Sequence, residues 1–443
     1  MITSPDFAGK RFAVLGLARS GAAAVESLLA SGAQVMAWDS REEPRQAFEG
    51  RVELADPVTA VLEGYEAVVV SPGIPLNRHP IAEAAAAADV PVIGDIELFA
   101  RARAVLPAHR VVGITGTNGK STTTMLVRHL FAQAGVPVRV GGNIGVPILA
   151  ADPLPEGGVY VLELSSYQID LTFSLDCEVA VLLNVTPDHL DRYADFDAYV
   201  ASKARLFGMQ SAASLAIVDH EAEAGVDVLR FSPEGQPIQF IDDVELPGDQ
   251  ARWPSLQGPH NRQNAAAAIA VARQLGLSDA QIEAGLESFV GLPHRMERVA
   301  ENEGVLYIND SKATNPASAA PALAAFPPDP RPRIHWIVGG LPKGDDLGEC
   351  EPYFGNVAAA YTIGDAGPMF ADLLAPHAPV RRSEMMAEAI REAMAAAKPG
   401  DVVMLSPACA SFDQFRDFEA RGDAFRRIVG ALISADDPGE GED

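Results

Sequence analysis

The chain has few cysteines, little positive charge and no long apolar run. Its 443 residues include only three cysteines, at positions 177, 350 and 409. They are odd in number and too widely spaced to form a metal-ligand pattern, which argues against a disulfide framework or a cysteine metal site. Such sparse cysteine use is typical of proteins in a reducing cytosol.

Basic residues are outnumbered by acidic ones. Lys and Arg together number 34, against 60 Asp and Glu, which gives a formal net charge of −26 at pH 7. This balance argues against nucleic acid or an anionic membrane surface as a partner. An acidic protein that binds a polyphosphate therefore needs positive charge, including Mg²⁺, concentrated at the binding site.

Hydrophobic segments are short throughout the chain. No run approaches the roughly 18 apolar residues of a membrane span, and residues 1–10 lack the apolar stretch of a signal peptide. We therefore expect no integral membrane segment and a cytoplasmic location. The hydrophobic fraction of 48%, arranged in alternating apolar runs and helical patches, predicts a globular α/β protein too long for one core.

Alternating strand and helix patterns divide the chain into three consecutive α/β domains. We expect a Rossmann-like domain over residues 1–97, a central P-loop-type ATPase domain with a parallel sheet over 98–291, and a Rossmann-like C-terminal domain over 292–443. The segment 221–256 is rich in Asp, Pro and Gly, and we expect it to be strand-poor or to form a small antiparallel flap.

The most informative stretch is the glycine loop at residues 115–124, directly after the apolar run 111–114. It reads Thr-Gly-Thr-Asn-Gly-Lys-Ser-Thr-Thr-Thr. A strict P-loop pattern would have glycine at position 114, where this chain has Ile114, so the loop is a variant. A glycine-rich turn without a ligand is the alternative.

Four residues of this loop have the chemistry to hold a triphosphate. Gly116 and Gly119 allow backbone N–H groups to face an anion, and the start of the following helix adds partial positive charge. Lys120 can reach the β and γ phosphates, and the Ser121 hydroxyl can bind Mg²⁺. The loop therefore predicts an ATP site.

A second glycine turn lies near the N-terminus. The strand Phe12–Leu15 is followed by Gly16 and Gly21, which open an Ala-rich helix, and the next strand ends at Asp39. This order matches the phosphate and ribose contacts of a Rossmann-type half. Because Ala18 stands where a dinucleotide fingerprint has its second glycine, the pattern favours a mononucleotide diphosphate over NAD.

Two acid- or histidine-bearing segments could bind metal. Glu163 ends a strand that should lie beside the P-loop strand, where a Mg²⁺ ligand belongs, although a solvated strand-end acid is an equal alternative. His189, flanked by Asp188 and Asp191, could bind a metal or a substrate carboxylate. A single histidine in a loop is, however, more often structural.

Two helix segments carry weaker signals. From its local sequence alone, Lys203 resembles an ordinary solvated helix lysine. Asn261 is a plausible N-cap of the Ala-rich helix 263–275. Structural capping explains Asn264 better than a nucleotide contact does.

Polar residues follow the strands of the third block. Arg295, at the domain boundary, could reach the γ phosphate of ATP. Small polar groups with one cation at strand ends suit an anionic amino acid. The residues of interest at these strand ends are Asp310 and Thr314 after the first strand, Lys343 after the second, and Ser411 with the aromatic Phe412 after the last.

Taken in order, these segments resemble the Mur ligase family over nearly the whole chain. Several motifs are shared with folylpolyglutamate synthetase, so they indicate the superfamily, whereas the segments 310–315 and 406–411 resemble the branch that adds D-glutamate. The matching segments are 16–21, 71–73, 94–99, 115–124, 141–145, 163–168, 188–193, 291–295, 309–315 and 405–415.

The resemblance implies an ATP-dependent amide ligase of peptidoglycan precursor synthesis that works through an acyl phosphate. It implies contacts with a UDP-linked acceptor by Gly16, Leu17, Ala18, Arg19, Asp39, Arg41, Gly73, Asn143 and His189. It implies ATP contacts by Gly116, Thr117, Asn118, Gly119, Lys120, Ser121, Thr122, Asn264, Arg295 and Asp310. It implies glutamate contacts by Thr314, Lys343, Ser411 and Phe412.

The resemblance also implies two Mg²⁺ ions. Ser121 and Glu163 would hold one, and His189 with a carbamylated Lys203 would hold the other. The implied catalytic residues are Lys120, Glu163, His189 and Lys203. The segment 339–343 differs from the Gly-Asp-Gly-Lys sequence typical of relatives. The resemblance therefore supports the role of Lys343 itself but not the roles of its neighbours.

Three alternatives remain open from the sequence. One is another Mur ligase, or a folylpolyglutamate synthetase-like ligase, with a different acceptor or amino acid, including L-glutamate. Another is a P-loop ATPase or kinase without amide formation. The third is a nucleotide-binding protein without turnover, which Lys120, Ser121 and Glu163 disfavour. In each case we expect small-molecule ligands, no nucleic acid partner and a monomer.

Overall fold

The structure is a computed structural model that describes residues 1–186, 192–220 and 229–436. These residues contain three sheets with helices between the strands, which confirms the predicted class of three consecutive α/β domains. The chain forms two compact units: Met1–Pro247 with Gln263–Leu286, and Gly248–Arg262 with the described residues from Glu287 onward.

The N-terminal sheet has five strands in the order β3-β2-β1-β4-β5, and all its pairs are parallel. Its strands are β1 Arg11–Leu15, β2 Gln34–Trp38, β3 Glu53–Leu54, β4 Ala67–Val70 and β5 Val92–Ile93. Its helices are α1 Arg19–Ala30, α2 Glu42–Gln46, α3 Ile81–Ala87 and α4 Asp95–Ala102. Because β1 lies between β2 and β4, the loop after β1 opens at the point where the strand order reverses, the usual place for a ligand.

The central sheet has six strands in the order β11-β10-β9-β6-β8-β7, again all parallel as predicted. Its strands are β6 His109–Thr115, β7 Val138–Gly142, β8 Gly158–Glu163, β9 Val179–Leu182, β10 Leu215–Val218 and β11 Ile238–Phe240. The helices that follow are α5 Lys120–Gln133, α6 Ser166–Asp170, α7 Phe196–Gly208, α8 Pro259–Gln274 and α9 Asp279–Ser288.

Of two local predictions for this region, one agrees with the structure in its strand-poor alternative and the other needs correction. The short strand β11 pairs in parallel with β10, so the described part of 221–256 is strand-poor and contains no antiparallel flap. The helix α8 begins at Pro259, before the predicted cap. Asn261 therefore lies inside its first turn, where its side-chain amide donates to the carbonyl of Gln257 at 3.1 Å.

The C-terminal sheet has six strands in the order β12-β13-β17-β14-β15-β16. Only the β12–β13 hairpin is antiparallel. The strands are β12 Glu297–Asn302, β13 Val305–Asn309, β14 Ile334–Gly339, β15 Val357–Ile363, β16 Val380–Glu384 and β17 Val402–Leu405. The helices are α10 Pro316–Ala324, α11 Gly367–Leu374, α12 Met386–Ala396 and α13 Phe418–Asp436.

The N-terminal and central sheets share one hydrophobic core within the first unit. The helix α4 joins them through Glu97, whose carboxylate accepts hydrogen bonds from the backbone N–H groups of Phe173 and Ser174 at 2.8 and 2.9 Å. Among the helices that the structure describes, none is both long and apolar enough to cross a membrane.

Candidate active site

The loop between β6 and α5 has the backbone of an anion cradle. Gly116 has φ +148° and Gly119 has φ +82°, conformations that residues with side chains rarely adopt. A Cβ on Gly119 would also lie 2.3 Å from Asn264 Oδ1, so glycine is needed for packing as well. Gly119 is the N-cap of α5 and has no side chain to cap it, which favours an anion at this helix start.

Asn184, just after β9, holds this loop in shape. Its side-chain oxygen accepts from the N–H of Asn118 at 2.8 Å, and its amide donates to the Asn118 carbonyl at 3.1 Å. Its own carbonyl accepts from the N–H of Thr117 at 2.9 Å. No sequence pattern assigned Asn184 a role, although its position at the end of a buried strand is a signal that could have identified it.

Two lysines converge on one loop carbonyl. The Nζ of Lys120 donates to the carbonyls of Gly116 and Thr117 at 2.9 and 2.8 Å. From α7, the Nζ of Lys203 donates to the same Gly116 carbonyl at 3.0 Å. Lys203 is only 2% exposed and its Nζ lies 4.6 Å from the centre of the Tyr199 ring. The interpretation of Lys203 as an ordinary solvated helix lysine is therefore wrong.

Glu163 ends β8 beside the P-loop strand, paired with Ile114 of β6 as expected. The side chain is buried, so the alternative of a solvated acid is also wrong. Its Oε1 accepts from the side-chain amide of Asn143 at 2.9 Å. Its Oε2 is buried and has no hydrogen-bond partner among the described residues.

These oxygens fit Mg²⁺. That ion is usually held by one or two carboxylates together with substrate phosphates and waters, and an unpartnered buried carboxylate oxygen supplies one such ligand. Ser121, in the first turn of α5, is nearly buried and adds a hydroxyl. Groups of three or more His, Cys, Asp or Glu able to hold a metal are absent from the described residues, but His189 and its neighbours Asp188 and Asp191 lie outside those residues.

Asn264, which the resemblance implies to contact ATP, lies against the P-loop. Its Oδ1 accepts from the Thr123 hydroxyl at 3.2 Å, one turn into α5. The Thr122 position is in the same turn. The buried side of α8 therefore packs on the phosphate loop, which explains why Gly119 has no room for a Cβ.

The turn after β1 is built around Asp39. The carboxylate accepts from the backbone N–H of Leu17 at 2.8 Å and from the N–H and Nε of Arg41 at 3.0 and 3.3 Å. Burial alone would raise its pKa, but the hydrogen bonds from Leu17 and Arg41 outweigh burial and hold the pKa of Asp39 below its ordinary value. Asp39 is therefore a carboxylate that fixes the loop.

Close packing explains both glycines of this turn. A Cβ on Gly21 would lie 1.8 Å from the Gly16 carbonyl oxygen, and a Cβ on Gly16 would lie 2.8 Å from the Ser71 hydroxyl. Ala18 is the N-cap of α1 and makes no side-chain capping hydrogen bond. The start of α1 is therefore a second place suited to an anion.

Two more residues implied to contact the acceptor are placed by neighbouring loops. Arg19 donates from its guanidinium to the Gly145 carbonyl, close in sequence to Asn143. The Gly73 carbonyl accepts from Arg192 at 3.4 Å, and Arg192 also donates to the carbonyls on either side of Gly73. Its guanidinium lies 4.1 Å from the centre of the Tyr167 ring.

In the second unit, Asp310 lies at the end of β13. It accepts from the Ser406 hydroxyl at 2.7 Å and from the N–H of Met296 at 3.1 Å. Burial outweighs these bonds and the nearby charge of Arg295, and raises the pKa of Asp310 to about 7.

The residues assigned to glutamate occupy the loops after β13, β14 and β17. The Lys343 Nζ lies 3.4 Å from the Thr314 hydroxyl. Ser411 is buried, whereas Phe412 is 69% exposed. A different aromatic, Phe418, lies beside the first of these loops: the Nζ of Lys312 lies 4.1 Å from its ring centre.

Arg421 joins two of these loops, a role that its sequence context did not predict. Its buried guanidinium donates to the hydroxyl and carbonyl of Ser311 and to the carbonyls of Cys409 and Ala410, at 2.9 to 3.2 Å. Burial lowers its pKa to about 10. No local pattern identified it, because a single arginine near the start of an amphipathic helix is ordinary.

Three family models match the chain. The MurD-like N-terminal domain of Mur ligases matches residues 10–94, the Mur ligase middle domain matches 114–272, and the glutamate ligase domain of Mur ligases matches 294–409. Together the matched segments include the Gly16–Gly21 turn, the Gly116–Gly119 loop and most of the strand-end residues of the C-terminal sheet.

Relatives match the chain over nearly its full length. The chain is 67% identical over 436 residues to the UDP-N-acetylmuramoylalanine–D-glutamate ligase of Novosphingobium aromaticivorans, covering 98% of this chain and 97% of the relative. It is 59% identical over 433 residues to the ligase of the same name from Sphingopyxis alaskensis, covering 98% of this chain and all of the relative.

Solved structures share the fold at low identity. One is the UDP-N-acetylmuramoylalanyl-D-glutamyl-2,6-diaminopimelate–D-alanyl-D-alanyl ligase of Acinetobacter baumannii, with a TM-score of 0.58 and 17% identity over 98% of this chain and 92% of that one. Another is the UDP-N-acetylmuramate–alanine ligase MurC of Thermotoga maritima, with a TM-score of 0.55 and 17% identity over 96% and 99%. The solved structures share the fold, and the full-length relatives together with the family models show that the chain belongs to the Mur ligase family.

Proposed function

We propose that the chain is an ATP-dependent ligase that joins D-glutamate to UDP-N-acetylmuramoyl-L-alanine and releases ADP and phosphate. The observation that carries the proposal is the 67% identity to a ligase named for this reaction, which extends over 98% of the chain. The product is a peptidoglycan precursor, so the enzyme would act in the cytoplasm in cell wall biogenesis, on which cell shape, division and the cell cycle depend.

The three substrates would bind to the three domains. The N-terminal domain, residues 1–97, would bind the UDP end of the acceptor at the Gly16–Gly21 turn, with Asp39 and Arg41 at its edge. The central domain, 98–291, would bind ATP at the P-loop. The C-terminal domain, 292–443, would bind glutamate, and Arg295 and Asp310 would contact the nucleotide from there.

The reaction needs two nucleophilic attacks. The alanyl carboxylate of the acceptor attacks the γ phosphorus of ATP, which forms an acyl phosphate and releases ADP. The neutral amine of glutamate then attacks the acyl carbon, and phosphate leaves while the amine loses a proton. Because the first attack brings two anions together, the site must supply cations, and Lys120 and Arg295 are proposed for this role.

Two Mg²⁺ ions would complete the charge balance. Ser121 and Glu163 would hold one, a role supported by the buried Glu163 Oε2, which has no hydrogen-bond partner in the part of the chain that the structure describes. His189 and a carbamylated Lys203 would hold the other. Bound Mg²⁺ supplies charge neutralisation and alignment of the phosphoryl oxygens.

The two lysines at the P-loop support carbamylation of Lys203. Both Nζ atoms lie within hydrogen-bond distance of the Gly116 carbonyl, which puts them within about 6 Å of each other, a range in which like charges disfavour each other. A carbamate forms from a neutral amine and CO₂, and it would replace the second cation by an anion beside Lys120. Burial of Lys203 excludes water that would otherwise favour the ammonium form.

Glutamate would be bound by charge-assisted contacts. Lys343 would pair with a glutamate carboxylate, with Thr314 and Ser411 as hydrogen-bond partners and Phe412 at the edge of the site. Arg421 would keep the loops that carry these residues in register, because its guanidinium donates to both. We also propose that the enzyme acts as a monomer.

The test is phosphate release measured with each substrate omitted in turn. We expect release to require the UDP-linked acceptor and to run to completion only with D-glutamate, because only the amine consumes the acyl phosphate. Equal release without the acceptor would indicate a simple ATPase. Equal rates with L-glutamate or another amino acid would indicate a different ligase of the family.

A further inference from the structure

The two carboxylate oxygens of Glu163 have different surroundings. Oε1 accepts a hydrogen bond from the Asn143 side chain at 2.9 Å. Oε2 is buried and has no hydrogen-bond partner among the residues described, in a side chain that is only 1% exposed. A buried polar oxygen without a partner costs free energy, so this atom needs a ligand to explain it.

The backbone places Asn143 with little freedom. Gly142 ends β7 opposite Glu163 in the parallel ladder, and the N–H of Asn143 donates to the Glu163 carbonyl at 2.8 Å. Gly142 has φ +87°, and a Cβ there would lie 2.1 Å from the Glu163 carbonyl oxygen. Asn143 is thus hydrogen-bonded to Glu163 through both its backbone and its side chain.

The chemistry of the pair fixes which atoms meet. An ionised carboxylate only accepts hydrogen bonds, so the Asn143 side chain must present its NH₂ group to Oε1. An amide nitrogen in that position is not a ligand for Mg²⁺, which prefers oxygen. The contact therefore occupies one carboxylate oxygen and leaves the other available.

We propose that Asn143 is a positioning residue for the metal ligand Glu163. It holds Oε1, so that Oε2 alone faces the ion, and it fixes the torsion of the carboxylate before the ion binds. The inference rests on the proposed function, which assigns Glu163 to Mg²⁺, and it gives Asn143 a second role besides the acceptor contact implied by the family resemblance.

The physical reason is the strict geometry of Mg²⁺. The ion demands near-ideal octahedral coordination at about 2.0–2.1 Å, and a glutamate free to rotate would offer either oxygen or both. Residues that orient a metal ligand through its other atoms typically change metal affinity by about 10- to 100-fold when they are removed. The loss of Asn143 should therefore weaken metal binding even when no acceptor is present.

The experiment measures binding of Mn²⁺ to the enzyme with ADP, by electron paramagnetic resonance, without acceptor or glutamate. We expect Asn143→Ala to weaken Mn²⁺ binding by about 10-fold or more. If the alanine variant does not fold, Asn143→Leu replaces it, because leucine keeps most of the side-chain volume. We expect the same loss of Mn²⁺ affinity in that variant. Arg41→Ala is the matched control, since it should raise the KM for the acceptor but leave Mn²⁺ affinity unchanged.

A double-mutant cycle with Glu163→Gln tests whether Asn143 acts through Glu163. In that background Asn143→Ala should have no further effect on Mn²⁺ affinity. Additive losses, or folded Asn143 variants whose Mn²⁺ affinity stays within about twofold of wild type while only the acceptor KM rises, would overturn the inference. Failure of the wild type itself to bind Mn²⁺ with ADP would overturn the metal assignment in the proposed function as well, and the two failures are distinguishable.

Discussion

The Gly16–Gly21 turn and the Gly116–Gly119 loop are built on the same backbone plan but have different side chains. Each follows a buried strand of a parallel sheet and opens a helix whose N-cap has no capping side chain. Each also depends on a glycine that admits no Cβ, since the added atom would meet the Gly16 carbonyl in one and Asn264 in the other.

The side chains that hold the two loops differ in charge. The first turn is held by the Asp39 carboxylate, which accepts from the loop N–H of Leu17. The second is held by the neutral amide of Asn184, and two lysine amino groups contact the Gly116 carbonyl. A fixed negative charge thus stabilises the first loop, whereas the second is held by a neutral amide and has the amino group of Lys120 beside it.

The difference corresponds to what happens to the phosphate at each loop. A diphosphate that is only held needs directed N–H groups and a helix start, because its charge does not change during the reaction. A phosphoryl group that is transferred needs cations where charge develops in the transition state. We therefore expect changes in the first turn to affect acceptor binding and changes at the second to affect turnover.

The largest expected effect tests the second lysine. Lys203→Ala removes the proposed carbamate, and we expect the turnover number to fall by roughly 10³-fold or more, the upper range for one preorganised electrostatic group. ATP binding should survive, because the P-loop amides and Lys120 remain. Steady-state kinetics with ¹³C NMR of enzyme equilibrated with ¹³CO₂ would measure both the activity and the carbamate.

Arg205→Ala provides the control on the same helix. Its guanidinium contacts the Thr172 carbonyl and the Phe173 ring, so the variant loses a cation from α7 outside the P-loop and should stay near wild-type activity. Added short carboxylic acids should partly restore the Lys203→Ala enzyme by supplying the missing anion. Full activity of the Lys203→Ala enzyme would contradict the assignment.

The next effect concerns the charge at the transferred phosphate. Lys120→Ala should lower the turnover number by about 10²-fold or more. Lys343→Ala is the contrasting variant, because a lysine that only holds glutamate should mainly raise the KM for glutamate, by about 10- to 150-fold. If Lys120→Ala lowered the turnover number by less than about threefold, the proposed difference between a lysine that only holds its ligand and one that acts in phosphoryl transfer would be contradicted.

The fold was predictable where one local pattern decides it. The strands β1 and β6 are apolar runs that end at glycine, and the sequence predicts both together with the loops that follow. By contrast, β7 and β16 were missed, because Arg139 in one and the Arg381–Arg382 pair in the other interrupt the apolar pattern. These are edge strands of their sheets, where one side is free of a neighbouring strand and polar residues are tolerated.

The site was predictable only in its loops. The P-loop pattern identifies Lys120 and Ser121 from neighbouring residues, whereas Asn184 contacts Asn118 across 66 residues of chain and Arg421 contacts Ser311 across 110. Such contacts depend on strand order, which a single sequence does not encode locally. The same reason explains why Lys203 looked ordinary until α7 was placed beside the P-loop.

A pair of glycine variants tests whether the two loops are separable. Gly21→Ala forces a Cβ to within 1.8 Å of the Gly16 carbonyl, and Gly119→Ala forces one to within 2.3 Å of Asn264 Oδ1. We expect each substitution to lower the free energy of unfolding by about 1–3 kcal/mol, the usual cost of overpacking. Calorimetric titration should show weaker acceptor binding in the first variant and weaker ATP binding in the second.

Gly135→Ala serves as a control for the glycine pair, because a Cβ there meets no atom within 4 Å although the residue has φ +77°. It should lower the free energy of unfolding through backbone strain but leave the affinities for the acceptor and for ATP unchanged. If Gly21→Ala weakened ATP binding as much as acceptor binding, the two loops would not be independent.

The smallest effect concerns the fixed charge of the first turn. Asp39→Asn keeps the shape but replaces charge-assisted hydrogen bonds from Leu17 and Arg41 by neutral ones, so we expect the free energy of unfolding at pH 7 to fall by about 1 kcal/mol. Since the folded pKa of Asp39 is lowered, its contribution is present above the unfolded pKa of about 3.9 and is lost as pH falls through the folded value.

Denaturant unfolding of wild type and Asp39→Asn should therefore differ most near neutral pH and converge as the pH falls below the lowered folded pKa of Asp39. Asp56→Asn is the control: its carboxylate also accepts from a backbone N–H, that of Val58 at 2.9 Å, but away from the glycine turn, so it should leave the acceptor KM unchanged. A difference between wild type and Asp39→Asn that persists undiminished in acid would mean that shape rather than charge holds the first turn, and the contrast with the neutral amide at the P-loop would disappear.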